Sequence, residues 1–304
     1  MENIHSLTTE TNNKETKNID RVTTLEVLEM INKEDKTVAY AVEKELPQIA
    51  KAVDQIKDRF QKGGRMIYIG AGSSGRMGTL DAVELTPTYN VDPSLAFGIM
   101  AGGKEAMYRA IEGAEDSKEL AIEDLKNVNL NEKDIVIGIA ASGRTPYTIS
   151  ALEYGNSVHA LTISVSCNGE SEMAKVASIS IAPVVGAEVI SGSTRMKAGT
   201  AQKMVVNMLS TATMIQVGKV YQNYMVNVQP TNEKLVIRAI HMIKEITGLS
   251  LDEATSLFEA SGKNVAVAVI MNEIKVDKET AFEALEKAQG KVIGALELLS
   301  HEKK

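Results

Sequence analysis

The stretch from Met66 to Thr88 constrains the fold more than any other part of this chain. The apolar run Arg65-Met66-Ile67-Tyr68-Ile69 is preceded by Gly63-Gly64 and followed by Gly70-Ala71-Gly72-Ser73-Ser74-Gly75-Arg76, which predicts a buried strand feeding a tight loop and then a helix. Glycines at 70, 72 and 75 let the backbone turn sharply and bring its N–H groups close to a ligand, and the helix adds the positive end of its dipole. The loop is therefore read as an anion site, with phosphate the best-fitting anion. Its spacing also satisfies G-x-G-x-x-G, so dinucleotide binding has to be weighed. That reading calls for an acidic residue at the end of a second strand about twenty positions on. The next apolar run, Leu95 to Met100, ends instead in Ala101-Gly102-Gly103. The adjacent hydroxyls of Ser73 and Ser74 suit a phosphomonoester, so a sugar phosphate fits the loop better than a nucleotide, with a purely structural turn as the third option.

The pattern recurs. Asp134 to Ile139 forms another buried strand that leaves through Ala140-Ala141-Ser142-Gly143-Arg144-Thr145-Pro146, so that Ser-Gly-Arg again stands just ahead of a helix. Pro146 suits a first helical position. In a parallel sheet, ligands bind beyond the carboxyl ends of the strands near a reversal of strand order, so two such loops can converge on one anion. Two ordinary turns with serine caps would explain each loop singly, but explain the repetition less well. Ala160 to Val165 and Ile179 to Val185 bring the strands to about five, alternating with helices. A third hydroxyl-rich loop, Ser191-Gly192-Ser193-Thr194-Arg195-Met196-Lys197, precedes a long helix lined by Ala201, Met204, Val205, Met208, Ala212 and Ile215.

The 304 residues allow a large α/β domain plus a smaller one, divided here as 1–56 (arm and helices), 57–220 (the α/β domain) and 221–304 (a helical subdomain). Residues 1 to 18 read as a flexible arm, with Ile4 and Leu7 its large apolar groups, ordered by a partner subunit if at all. Thr23-Thr24-Leu25-Glu26 has capping-box spacing and opens a short helix. Val42, Leu46, Ile49, Val53, Ile56 and Phe60 form one helical stripe, read as core or dimer packing, with Pro47 starting a new turn. A helix is expected from Lys104 to Ile111 with a break at Gly113, and another capped by Asp116 with Glu119 three residues on. Glu112, Glu115 and Asp116 cluster at that break. From Thr231 the pattern is wholly helical, with segments Glu233 to Thr247, Ser250 to Ala260, Asn264 to Glu273 and Lys278 to Gln289.

Composition narrows the partners. A net charge of -7 with dispersed Lys and Arg argues against nucleic acid. The lone Cys167 excludes an internal disulfide and reads as a small buried residue, and His5, His159, His241 and His301 never reach metal-ligand spacing, so no metal or other cofactor is implied. No run has the character of a signal peptide or a membrane span, which points to a cytoplasmic protein with no membrane partner.

Taken together, Gly-Ala-Gly-Ser-Ser-Gly-Arg, Asp81-Ala82-Val83-Glu84 with Pro87-Thr88, Glu112-Gly113-Ala114-Glu115-Asp116, Ala140 to Pro146, Asn168-Gly169 and Gly192 to Thr200 resemble the N-acetylmuramic acid 6-phosphate etherases. Leu85-Thr86 stands where many members carry Cys-Pro. The resemblance spans Ile19 to the C-terminus. It implies a sugar isomerase (SIS) fold, a parallel five-stranded sheet between helices, in a homodimer with its site near the subunit interface. It also implies cleavage of the D-lactyl ether of a sugar 6-phosphate, giving N-acetylglucosamine 6-phosphate and D-lactate in the recycling of bacterial wall sugar. By resemblance Glu84 is the proton donor and Glu115 the second acid/base residue. Without it they would read as a helix-surface acid and a helix-end charge. Ser73, Ser74, Ser142 and Thr145 are assigned to the phosphate, joined by Ser193 and Lys197 from the third loop. The helical tail around Gly290 to Leu296 is similar to ubiquitin-associated domains and is given a packing role. An aldose-ketose isomerase would share the phosphate pocket without an acid aimed at C3, and a sugar-phosphate sensor, as in the glucokinase regulatory proteins, would keep the loops without turnover.

Overall fold

The computed structural model describes residues 8–230 and 232–302; Ile4, His5 and Leu7 lie outside them. Five strands, β1 (Met66–Gly70), β2 (Ala96–Met100), β3 (Ile135–Ile139), β4 (Leu161–Val165) and β5 (Ile179–Ile181), form one parallel sheet in the order β2-β1-β3-β4-β5. Every residue of β1, β3 and β4 is buried, as uninterrupted apolar runs require when both faces of a sheet are covered. The chain leaves β1 for β2 on one side and then crosses to β3 on the other, so the strand order reverses between β1 and β3. Their last residues, Gly70 and Ile139, are register partners. The two loops that carry Ser-Gly-Arg therefore start side by side.

Helices fill both sides of the strands. The first three are α1 (Thr24–Asp35), α2 (Val38–Glu43) and α3 (Leu46–Phe60). Next come α4 (Gly72–Tyr89), α5 (Lys118–Asn127), α6 (Pro146–Ser157), α7 (Glu172–Val176) and α8 (Lys197–Gln216). Leu125 of α5 and Tyr147, Ala151 and Leu152 of α6 pack with Ile67, Ile69 and Val136 of the sheet in one buried cluster. On α4, the buried Asp81 accepts hydrogen bonds from the Tyr68 hydroxyl of β1 (2.8 Å) and from Asn207 Nδ2 (2.5 Å) and Ser210 Oγ (3.1 Å) of α8. Burial raises the Asp81 pKa and these three donors oppose the rise.

Two compact units divide the described chain. One draws on the residues up to Val83 and on Pro93–Ser210; the other draws on Glu84–Asp92 and the residues from Thr211 on. The second holds α9 (Glu233–Thr247), α10 (Leu251–Ala260), α11 (Val265–Ile274), α12 (Lys278–Lys287) and α13 (Val292–Glu302). Its centre is α11, where Val265 to Ile270 are all buried, so the helix is apolar all round. Asn232, Ser250, Asn264 and Asp277 each accept a backbone N–H at the start of the helix that follows, which fixes where these segments begin. Among the described residues no helix is long and apolar enough to cross a membrane.

Several local expectations are corrected. The helix expected over 104–111 is one 3-10 turn, Lys104–Met107, because the Arg76 guanidinium donates to the carbonyls of Ala106, Met107 and Arg109. Ser117, not Asp116, caps α5. β5 stops at Ile181 because the Ala182 N–H turns to Glu45 Oε2 and Pro183 has no N–H to offer. The stripe on α3 is core, with Val53 and Ile56 buried and the helix packed on β4 and β5; only Leu46 among its aliphatic members is left 45% exposed. The arm is tethered within its own chain: Thr9 and Thr16 are buried, and Thr16 Oγ1 donates to the Val189 carbonyl (2.8 Å).

Asp134, 1% exposed at the entrance of β3, joins the bottom of the sheet. Its carboxylate accepts from Arg65 N, Nε and Nη2 and from Asn131 N and Nδ2, closing the turn between α5 and β3 onto β1. Asp134→Ala strands those donors and is expected to lower the free energy of unfolding in guanidinium by on the order of 3 kcal/mol. A loss below about 0.5 kcal/mol would show that the cluster contributes nothing net.

Candidate active site

At the carboxyl end of β1 the loop has no room for side chains. A Cβ on Gly70 would lie 2.6 Å from the Ile139 carbonyl oxygen, and one on Gly75 would lie 2.6 Å from the Gly70 oxygen. This close approach sets Ser73 and Ser74 in the first turn of α4, where backbone N–H groups lack helical partners. On the β3 side Gly143 takes φ +68°, and a Cβ there would meet Ser171 at 2.3 Å. The chain then enters α6 at Pro146 with Thr145 as its N-cap. Ser142 Oγ accepts the Arg144 N–H (3.2 Å), and its hydroxyl proton is left for another acceptor.

These loops face one cavity of about 260 Å³, lined by Ser73, Ser74, Ser142, Thr145, Glu115, Thr194 and Glu10 among others. The structure thus brings together the four hydroxyls of the two repeated loops and the expected acid Glu115. Among the described residues no Lys or Arg lines this cavity, so hydroxyls, backbone N–H groups and the N-termini of α4 and α6 are its anion-binding features. Glu115 is exposed in the short 3-10 turn Ala114–Asp116, which follows Gly113 in the left-handed region (φ 75°). It also lines a second cavity of about 180 Å³ with Arg76, Arg109 and Glu112; Ala71 and Gly72 belong to both.

Ser74 is the best-held hydroxyl. It is buried, and its Oγ lies 2.9 Å from Gln202 Oε1 on α8. Gln202 Nε2 is buried without a hydrogen-bond partner among the described residues. Turning this carboxamide by half a rotation would place Nε2 on Ser74 Oγ, satisfying the amide and freeing the serine proton for a ligand.

Three of the expected site residues lie elsewhere. Lys197 is buried as the first residue of α8, its Nζ 2.6 Å from Glu34 Oε2 of α1. The buried Glu188 accepts the N–H groups of Lys197 and Ala198 at 2.9 Å each, which caps the helix and draws the lysine inward. Ser193 is half-buried and does not line the cavity; its neighbour Thr194 does. Glu84 is exposed on α4 and is likewise absent from the lining, while Leu80 and Val83 on the same helix are 53% and 63% exposed. Cys167 is fully buried, and burial first, with the Glu188 carboxylate second, pushes its thiol up to about 12, so it stays protonated and inert. Sequence reasoning missed Glu10 and Gln202; the first sits in an arm with no periodic signal, and the second is one of several polar positions on α8, beside Asn207, Ser210 and Thr213, that no spacing singles out.

Comparison with known proteins follows the same lines. A profile of the SIS domain matches residues 117–212, and one described as the glucokinase regulatory protein N-terminal SIS domain matches residues 48–156. N-acetylmuramic acid 6-phosphate etherase 1 of Enterococcus faecalis is 59% identical over 290 residues, covering 95% of this chain and 97% of its own. The N-acetylmuramic acid 6-phosphate etherase of Clostridium botulinum (strain Okra / Type B1) is 57% identical over 297 residues, 98% of each chain. That of Clostridium beijerinckii is 55% identical over 295 residues, 97% of each. With more than half its residues shared along nearly the whole length of each of these proteins, and with the sheet on which the paired loops depend, the chain belongs to the N-acetylmuramic acid 6-phosphate etherase family.

Proposed function

We propose that this chain cleaves the D-lactyl ether of N-acetylmuramic acid 6-phosphate by elimination and hydration, releasing N-acetylglucosamine 6-phosphate and D-lactate in the cytosol. The observation that carries this reading is the convergence of two hydroxyl-bearing loops and Glu115 on one cavity. The domain that does this work is taken as residues 57–220, with 221–304 as a helical packing subdomain.

The reaction explains why carboxyl groups are wanted. An alkyl ether has a poor leaving group, and direct displacement at the lactyl carbon would need a strong nucleophile. Once the ring is open, the proton at C2 lies beside an aldehyde and can be taken by a carboxylate. An acid then protonates the ether oxygen as the bond from C3 breaks, and water adds to the double bond. Glu115 faces the cavity with no hydrogen bond or ion pair among the described residues, which suits an acid/base group that must change partners. Glu84 is assigned the proton to the departing oxygen.

Two copies are proposed to complete each site. Glu84 lies outside the cavity lining of its own chain, beside the exposed apolar side chains Leu80 and Val83, and Leu25 and Leu28 of α1 are also 66% and 56% exposed. Apolar surface flanking a functional acid is what an interface would cover. In the dimer, Glu84 of one copy would then serve the cavity of the other. Ser73, Ser74, Ser142 and Thr145 hold the 6-phosphate, with Gln202 turned so that its amide donates to Ser74. Lys197 and Ser193 act from outside the cavity, the lysine by holding α1 to α8.

Two results are expected. Ser74→Ala combined with Ser142→Ala removes two hydrogen bonds to a charged group and should weaken N-acetylglucosamine 6-phosphate at least about 100-fold in calorimetry. Unchanged affinity would remove the phosphate assignment. Glu84→Gln and Glu115→Gln should each slow lactate release by about 100-fold or more. Mixing the two inactive proteins should restore about a quarter of wild-type activity, since half the dimers would carry one intact site. No recovery in proven mixed dimers would place both acids in one subunit.

A further inference from the structure

Beside Glu115 the cavity is lined by a second acid that the reaction scheme leaves unused. Glu10 ends the 3-10 turn Thr8–Glu10 and lines the same cavity as Ser73, Ser74, Ser142, Thr145 and Glu115. Its carboxylate makes no hydrogen bond or ion pair among the described residues. An oxygen of it lies beside the third loop, 3.6 Å from where a Cβ on Gly192 would stand.

This placement is built. Thr8 donates from N and Oγ1 to Asn168 Oδ1 at 3.0 and 2.7 Å, and Asn168 Nδ2 donates to Thr9 Oγ1 at 3.2 Å. Thr9 and Asn168 are both buried. The same Asn168 amide reaches the carbonyls of Ala141 and Ser142 at 3.2 Å each, so one side chain joins the arm to the loop that carries Ser142. Beyond Glu10 the arm is fastened again where Thr16 meets Val189. Clipped on both sides, the short turn has little freedom to carry its acid away.

An ionised carboxylate only accepts hydrogen bonds, and it repels a phosphate dianion. A site built for phosphate alone has no use for Glu10, whereas the hydroxyls and amide N–H of a sugar are donors that need acceptors. We propose that Glu10 is a positioning residue that accepts a hydrogen bond from the sugar part of the ligand, so that the N-terminal arm distinguishes a sugar phosphate from phosphate itself. The idea rests on the reading of this cavity as a sugar 6-phosphate site and adds to it the group that recognises the sugar.

Calorimetry on the full chain with two ligands tests it. Glu10→Gln should weaken N-acetylglucosamine 6-phosphate by about 10-fold or more, a charge-assisted bond being lost. Inorganic phosphate should bind the variant as tightly as wild type or more tightly, because a negative charge has gone. Glu10→Asp, which keeps the charge on a shorter stem, should fall between. Loss of both ligands in parallel would make Glu10 a structural part of the arm, and no change for either would remove it from the site; both overturn the proposal. If wild type binds neither ligand, the sugar-phosphate reading itself fails, and that outcome is separate from any effect of the substitution.

Discussion

The pairing of Gly70 with Ile139 at the reversal of strand order is the constraint on which the rest of the site depends. Parallel strands end on the same side, and β1 and β3 are neighbours there although the chain visits β2 between them. Each strand end opens into a loop and then the N-terminus of a helix, so the free N–H groups and hydroxyls of both loops face one space. The glycines are the cost of this closeness. With the Gly70 and Gly75 backbones in contact at distances that exclude a Cβ, α4 begins almost on top of the strand that feeds it.

Around that junction the polar side chains serve two different ends. Asp134, Asp81 and Glu188 are buried and fully engaged, each tying backbone or side chains of distant segments. Glu115 and Glu10 line the cavity with no hydrogen bond or ion pair among the described residues. A carboxylate meant for structure is satisfied in the resting protein, whereas one meant for a ligand keeps its acceptors open.

Much of this was legible in the sequence. The strands announced themselves as apolar runs, the repeated Ser-Gly-Arg marked two loops that line one cavity, and Thr23 with Glu26 formed the expected capping box. The four helical segments expected to begin at Glu233, Ser250, Asn264 and Lys278 start within a residue of those positions. What escaped depends on contacts distant in sequence. Lys197 in a basic, hydroxyl-rich loop looks like an anion ligand until Glu34, 163 residues away, is seen beside it. Thr8 and Thr9 look like a polar tail until Asn168 receives them across 160 residues. The stretch 104–111 has helical composition, but its carbonyls are taken by the Arg76 guanidinium, more than 25 residues away in sequence.

The central claim is that the bond broken lies between C3 of the sugar and the ether oxygen, with a carboxylate removing the C2 proton. The direct measurement is turnover of N-acetylmuramic acid 6-phosphate in water enriched in heavy oxygen, with a parallel run in heavy water. Elimination followed by hydration places heavy oxygen in the C3 hydroxyl of N-acetylglucosamine 6-phosphate, none in lactate, and deuterium at C2. Heavy oxygen in lactate with no deuterium at C2 would contradict it and leave displacement at the lactyl carbon in its place.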